Sequence, residues 1–393
     1  YGIGCSRPVN EKAAAAIDCI NASRASVLSV DMPGGICADT GRVMGTAFRA
    51  DVTVTFSFYK LGQMLFPGRE YCGKILLKNA GIVLPAGSPG TERKDTPTDT
   101  DASQNAEGVY VLEDSDMPGM LPKRNTRSHK GTYGRALLFA GSVSMPGAMA
   151  LAAQGAYRTG CGLTEVCSTS ANLPVMAGHL PEAVFTAEEA VLADSGLLSD
   201  ALARAGAVLI GPGWGRRREA LSLAEQIIRQ FAGCVVLDAD ALNLMAERGA
   251  LPKDRAGLLI VTPHLREMSR LCGRSVADIQ DHVMETAIWY ARKEGVICVL
   301  KDAATIVTNG QRTLINRTGN SGMSTGGSGD VLSGMITGLL AQNMDPLDAC
   351  AAGVYLHGRA GDLCACKMGE RGMLSGDLAR YIPQAMRTGR TQE

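Results

Sequence analysis

The chain has 393 residues, 46% of them hydrophobic, and its 39 basic and 39 acidic side chains cancel to a formal charge of zero. That length favours two or three domains with substantial cores, and a longest basic run of only Arg216-Arg217-Arg218 gives a nucleic acid little to hold. The twelve cysteines lack C-x-x-C pairs, so no zinc pattern or disulfide scaffold is visible; with no run long enough to span a bilayer and no signal peptide, a reducing cytosol is the expected compartment.

Residues 10–23, containing E-K-A-A-A-A-I-D-C-I-N, read as a helix, and 25–31 (A-S-V-L-S-V-D) as a buried strand ending on an acid. Asp31 and the Met32-Pro33-Gly34-Gly35 that follows stand where open α/β sheets place ligand-binding groups, although an acid there also serves to cap a turn. A second strand covers 52–56 before Tyr59-Lys60-Leu61-Gly62, and 73–77 with Ile82-Val83 closes the segment. Residues 84–108 hold Pro, Gly, Thr, Asp and Ser with almost nothing apolar and read as a linker; order resumes at 109–112. The expected domains are therefore 1–84, a linker 85–108, and 109–393.

Beyond the linker, strands and helices alternate, the mark of a mostly parallel sheet with helices on both faces. Strands are expected at 135–140, 163–167, 207–210, 235–237, 258–261, 296–301 and 305–308, and helices at 148–159, 220–230, 277–293 and 348–362. Small or polar residues punctuate the strand ends, where such sheets do chemistry. In order they are Gly141 to Ala148 (G-S-V-S-M-P-G-A), Gly211-Pro212-Gly213-Trp214-Gly215, Asp238-Ala239-Asp240-Ala241-Leu242-Asn243, Thr262-Pro263-His264, and Lys301-Asp302-Ala303-Ala304-Thr305. Singly, each has an ordinary explanation: a structural histidine, turn-forming aspartates, a solvated lysine. Together, at successive strand ends, they point to a site.

The most informative stretch is 320–332, N-S-G-M-S-T-G-G-S-G-D-V-L. Its glycines free the backbone to lie against a ligand, and Val331, Leu332, Met335, Ile336, Leu339 and Leu340 then form the apolar stripe of an amphipathic helix. A glycine loop feeding a helix N-terminus aims backbone N–H groups and the helix dipole at one spot, which suits a phosphate. Asp330 sits in that field as either a first-turn cap or a general base. No G-K-S/T follows the glycines, and G-x-G-x-x-G is absent, which excludes a Walker A loop and a dinucleotide fingerprint.

G-G-S-G-D resembles the anion-hole motif of the ribokinase-like superfamily. The longer G-M-S-T-G-G-S-G-D, with K-G-T-Y-G at 130–134, G-S-x-x-M-P-G-A, G-P-G-x-G, D-A-D-A-L-N, T-P-H and K-D-A-A-T, resembles the ADP- or ATP-dependent NAD(P)H-hydrate dehydratases from about residue 121 to 386. That resemblance implies that Ala148, Gly213 and His264 line a hydrated nicotinamide nucleotide, NADHX or NADPHX. It implies that Lys301, Asp302, Ala303, Ala304, Thr305 and the loop Gly326, Gly327, Ser328 and Gly329 hold ADP, or ATP, with magnesium, and that Asp330 is catalytic and faces the substrate. Leu265-Arg266 departs from the family's usual Pro-Gly after T-P-H. In the first segment, G-I-G-C-S-R-P-V, S-V-D-M-P-G-G and T-V-T-F-S-F-Y-K-L-G resemble the second half of the NAD(P)H-hydrate epimerases. This implies a partial Rossmann-like α/β domain in which Asp31 belongs to the substrate and potassium site. Gly34 stands where that family usually has Ser, and its phosphate loop would precede Tyr1, so this half-domain is not expected to epimerise. The implied role is nicotinamide nucleotide repair in a homo-oligomer; the competing one is a thiazole or pyrimidine alcohol kinase of the same superfamily.

Overall fold

The computed structural model describes residues 2–82 and 108–387, which fall in two compact units, Tyr1–Glu107 and Gly108–Glu393. The linker read at 84–108 lies outside the described residues except for Gly108, which opens a strand.

In the first unit, helix α1 (Glu11–Asn21) starts where the Asn10 side chain accepts the Ala13 N–H at 2.9 Å. Strands β1 (Leu28–Val30), β2 (Val52–Phe56) and β3 (Lys74–Lys78) pair in parallel in that order. The expectation of a buried strand at 25–31 is corrected: β1 is three residues long, and Leu28 and Val30 are each 64% exposed while Ser29 points inward. β1 is an edge strand, and among the described residues its apolar face is not covered.

The second unit is built on ten strands: β4 (Gly108–Val111), β5 (Arg135–Phe139), β6 (Leu163–Ser168), β7 (Val184–Ala187), β8 (Ala207–Ile210), β9 (Cys234–Leu237), β10 (Leu259–Val261), β11 (Ile297–Leu300), β12 (Ile306–Thr308) and β13 (Arg312–Ile315). Their order is β4-β13-β12-β11-β10-β9-β8-β5-β6-β7, and every pairing is parallel except β11 with β12 and β12 with β13. Central strands such as β8 and β11 are buried at every residue, as a sheet covered on both faces requires. The longer helices are α2 (Pro146–Arg158), α3 (Ser195–Arg204), α4 (Arg218–Gln230), α5 (Asp240–Arg248), α6 (Leu265–Cys272), α7 (Val283–Glu294), α8 (Ser328–Ala341), α9 (Pro346–Met368) and α10 (Ser375–Ala385). The helix expected over 277–293 is broken at His282, where φ is −139° and ψ 47°, into a short turn of helix and α7.

Helix α8 is not amphipathic as the pattern suggested. Every residue from Val331 to Ala341 is buried, including Ser333, Gly334, Thr337 and Gly338. The small residues on its second face let α2 approach to backbone contact. A Cβ added to Gly334 would lie 1.9 Å from Ala152 O, and one on Gly155 would lie 2.3 Å from Val331 O. α8 also crosses β5, β8 and β9, so its N-terminus is delivered to the C-terminal edge of the sheet. Gly334→Val is expected to force the helices apart at a cost of about 3 kcal/mol. Urea unfolding would read that loss, and turnover should fall further than the unfolded fraction explains because Asp330 moves with α8.

Candidate active site

After β5 the chain runs outward through β6 and β7, then returns to lay β8 on the other side of β5. Connections diverge at this switch point and leave a crevice at the strand C-terminal ends. The two glycine loops meet there: the Gly141 N–H donates to Pro212 O at 2.8 Å. Gly213, with φ +56°, lies so close to α2 that an added Cβ would be 2.6 Å from Ala148 Cβ. Ala148 and Gly213, far apart in sequence, therefore form one wall.

That wall has an anchor the motif reading missed. Trp214 is fully buried and its Nε1–H donates to Glu188 Oε2 at 2.8 Å, while Arg217 bonds Glu188 Oε1 at 2.8 Å. Glu188 is 1% exposed and belongs to the short helix following β7, a strand too brief and too half-exposed to announce itself.

At the end of β9, Asp238 is 1% exposed and accepts from Lys301 Nζ at 2.7 Å. Ala239 follows with φ 49° and ψ −112°, in a turn closed by the Ala241 N–H on Asp238 O at 3.1 Å. This is a conformation glycine ordinarily takes, and a side chain there stores on the order of 1–3 kcal/mol of strain. The sharp turn sends the two aspartates apart: Asp238 reaches Lys301, and Asp240 Oδ2 accepts the Gly215 N–H at 2.8 Å, tying this turn to the second glycine loop.

His264 caps α6. Its Nδ1 accepts the N–H groups of Arg266 and Glu267 at 3.1 and 3.3 Å, and Glu267 Oε2 accepts the His264 N–H at 2.9 Å. Leu265 and Arg266, which replace the family's Pro-Gly, simply open this helix. With Nδ1 accepting, the ring proton is assigned to Nε2, so His264 is a donor and not a base. Burial and the Lys301 charge lower its proton affinity, keeping it neutral.

Lys301 leaves β11 with its N–H on Pro263 O at 2.8 Å, and a Cβ on Gly329 would be 3.3 Å from Lys301 Nζ. One ammonium thus stands among Asp238, Glu267 and Asp330. Burial works against its charge, but the carboxylates outweigh it and the Lys301 proton affinity rises. Burial, with repulsion from Asp238, pushes Asp330 up to about 7 despite Lys301, and burial pushes Glu267 up to about 7 as well. In 301–305, Asp302 and Ala303 are exposed, whereas Ala304 and Thr305 are 2% and 8% exposed and serve the turn, Thr305 Oγ1 donating to Asp302 O at 3.1 Å.

Gly327, φ +91°, forms the N-cap of α8, and Ser375 Oγ on α10 donates to Gly326 O at 2.7 Å. One face of α9 carries the rest of the 318–328 loop: Ser328 Oγ is 3.4 Å from His357 Nε2, and Asp362 accepts the Gly319 N–H and Asn320 Nδ2 at 3.0 Å each. A Cβ on Gly358 would lie 2.3 Å from Thr318 Oγ1, and one on Gly361 2.3 Å from Met323 Sδ. The H-G-R-A-G-D string that makes this cradle was visible in sequence, but its glycines and acid read as ordinary helix interior.

Asp31 is held in the first unit at φ 65°. Its Oδ1 accepts from Thr55 Oγ1 at 3.0 Å and is salt-bridged to Lys60, whose Nζ also reaches Thr55 Oγ1 at 3.0 Å and Phe56 O at 3.2 Å. Burial opposes ionisation, but Lys60 and Thr55 outweigh it and hold the carboxyl below its usual range. Lys60, two residues before Gly62, is the partner that sequence reading quoted without assigning.

The family described as NAD(P)H-hydrate dehydratase matches residues 136–384, and the YjeF-related protein N-terminus matches residues 1–62. The bifunctional NAD(P)H-hydrate repair enzyme of Moorella thermoacetica is 36% identical over 98% of this chain and 72% of its own length. That of Escherichia coli K12 is 34% identical over 96% and 68%. Among solved structures, the ADP/ATP-dependent NAD(P)H-hydrate dehydratase of Bacillus subtilis, co-crystallised with ATP and magnesium, superposes with a TM-score of 0.63 at 33% identity, over 71% of this chain and 98% of that one. The expectation that the first segment is inert finds no support, since both regions of the bifunctional relatives are present. The chain belongs to the family of bifunctional NAD(P)H-hydrate repair enzymes, with a ribokinase-like dehydratase unit behind an epimerase-type N-terminal region.

Proposed function

We propose that the second unit dehydrates NADHX and NADPHX to NADH and NADPH at the expense of ADP, with ATP as the alternative donor. The observation that carries this reading is a carboxylate at the mouth of an anion-binding helix, Asp330, poised near neutral by burial beside Lys301. Hydroxide leaves carbon poorly, and phosphate leaves well. Asp330 takes the proton from the ring C6 hydroxyl while the C6 oxygen attacks the terminal phosphorus of the nucleotide, breaking the bond to the remaining nucleotide phosphate. The backbone N–H groups of 327–330 and Lys301 face the transferred charge. The ring nitrogen then expels phosphate, and loss of the C5 proton restores the dihydropyridine. Ala148 and Gly213 give the ring a smooth wall, and His264, whose Nε2 lies 3.4 Å from Glu267 Oε1, turns from that carboxylate to the substrate when it donates. When bound, magnesium supplies charge neutralisation between nucleotide phosphates.

In the first unit, Asp31, fixed by Lys60 and Thr55, is the carboxylate that would face the hydrate and hold potassium. Interconversion of the R and S hydrates is the activity proposed for this region.

The experiment is absorbance of reduced nicotinamide on mixing the protein with NADHX or NADPHX, magnesium and either nucleotide. A rise with ADP, and a slower one with ATP, is expected; nucleotide consumption on thiazole or pyrimidine alcohols without any rise would transfer the unit to the kinases. Because the proposed base must be ionised, kcat/KM should increase with pH and level off above about 7. A profile flat from pH 5.5 to 8.5 would remove Asp330 from that role.

A further inference from the structure

One buried titratable group stands against the site with no part in the chemistry above. His357 is 7% exposed in the middle of α9, and its Nε2 lies 3.4 Å from Ser328 Oγ, within the glycine-rich loop. Burial holds the imidazole well below its ordinary range, to about 4, so the ring is neutral at working pH. A neutral ring offers Ser328 one of two arrangements. If Nε2 accepts the hydroxyl proton, the serine turns lone pairs toward the loop, which repels a phosphoryl oxygen. If Nε2 donates, the hydroxyl proton is left free to point at that oxygen.

Ser328 occupies the first turn of α8, next to Gly329, whose Cβ position is 3.3 Å from Lys301 Nζ, so a hydroxyl donor here acts in the same field as the lysine. Residues 357, 358, 361 and 362 lie on one face of α9, and the same face fixes Gly319, Asn320 and Met323, which leaves the imidazole little room to turn away. Resting on the phosphoryl-transfer reading, we propose that His357 is a positioning residue: by donating from Nε2 to Ser328 Oγ it directs the Ser328 hydroxyl proton at the phosphoryl group seated on the α8 N-terminus.

The test is a double-mutant cycle in the full chain, read by calorimetric titration with magnesium-ADP and magnesium-ATP and, separately, by kcat on NADHX. His357→Leu and Ser328→Ala should each weaken nucleotide binding or lower kcat by about tenfold. The double variant should be no worse than either, and His357→Gln, which keeps an N–H donor at similar reach, should recover most of the loss. Should His357→Leu fail to fold, His357→Asn, whose shorter amide falls short of Ser328, takes its place. Additive losses in the Ser328→Ala background would show a merely structural histidine and overturn the proposal, as would a folded His357→Leu protein with unchanged affinity and kcat. A wild-type protein that binds nucleotide and leaves both hydrates untouched would defeat the dehydratase reading, while the calorimetric cycle still decides the role of His357. No nucleotide binding by the wild type would defeat both.

Discussion

Asp330→Asn is expected to lower dehydration by at least about a thousandfold while leaving nucleotide affinity within a fewfold of the wild type. The amide keeps the shape of the first turn of α8 and removes the one base placed at its mouth. The same variant should be more stable at alkaline pH. Asp330 has its folded value raised to about 7 from 3.8, so the stability associated with it is full below about pH 4 and is lost as pH rises through 7. Asparagine does not pay that penalty, and the difference above pH 7 should be on the order of 1–3 kcal/mol once solvent screening is allowed for. Thermal melts at pH 5 and pH 8 check this: equal stability of the two proteins at pH 8 would mean that the carboxylate is not strained in the resting enzyme, and equal loss of binding and turnover would sink the base assignment.

Lys301→Met should cost more in stability than any other change at the site. It leaves Asp238, 1% exposed, as a buried charge without its 2.7 Å partner, which destabilises by about 3–5 kcal/mol. It also removes the cation that opposes both Asp330 and Glu267, so both carboxyls titrate still higher. Turnover should fall by at least about a hundredfold. Adding Asp238→Asn should restore most of the stability and none of the activity. Denaturant midpoints and kcat on the single and double variants separate the two effects, and a Lys301→Met protein as stable as the wild type would show that the pair is dispensable to folding.

How much of this was legible before the structure depends on whether the signal was local. The strand-end motifs were, because a parallel sheet puts its short connections at one edge and marks them with glycine, proline and acids; hence Gly141, Gly213, Asp238, His264 and Lys301 emerged together. Partnerships were not. Nothing in the chain says that Lys301 pairs with Asp238 rather than with Asp302 beside it, or that Glu188, in an unremarkable E-E-A-V helix, holds Trp214 and Arg217. Strand β7 escaped because it is four residues long and half-exposed, and β13 because it is equally short and buried at Thr313, Leu314 and Ile315, with no alternation to mark it. The reading of α8 as amphipathic failed for a physical reason: serine, threonine and glycine count as polar in a pattern, yet at a backbone-to-backbone helix contact they are the residues that fit.

The antiparallel pairing of β11 with β12 sets a difference between two groups of strand-end loops. The stretch 301–305 joins neighbouring strands directly, pinned at both ends by the ladder Cys298 to Thr308 through Leu300 to Ile306. The loops at 141–147 and 211–215 instead open crossovers, and each is tethered to the sheet at one end and to a helix at the other. The two groups of strand-end loops are thus held by different restraints: 301–305 by a ladder at both ends, 211–215 by the buried Trp214 and the Gly215 bond to Asp240.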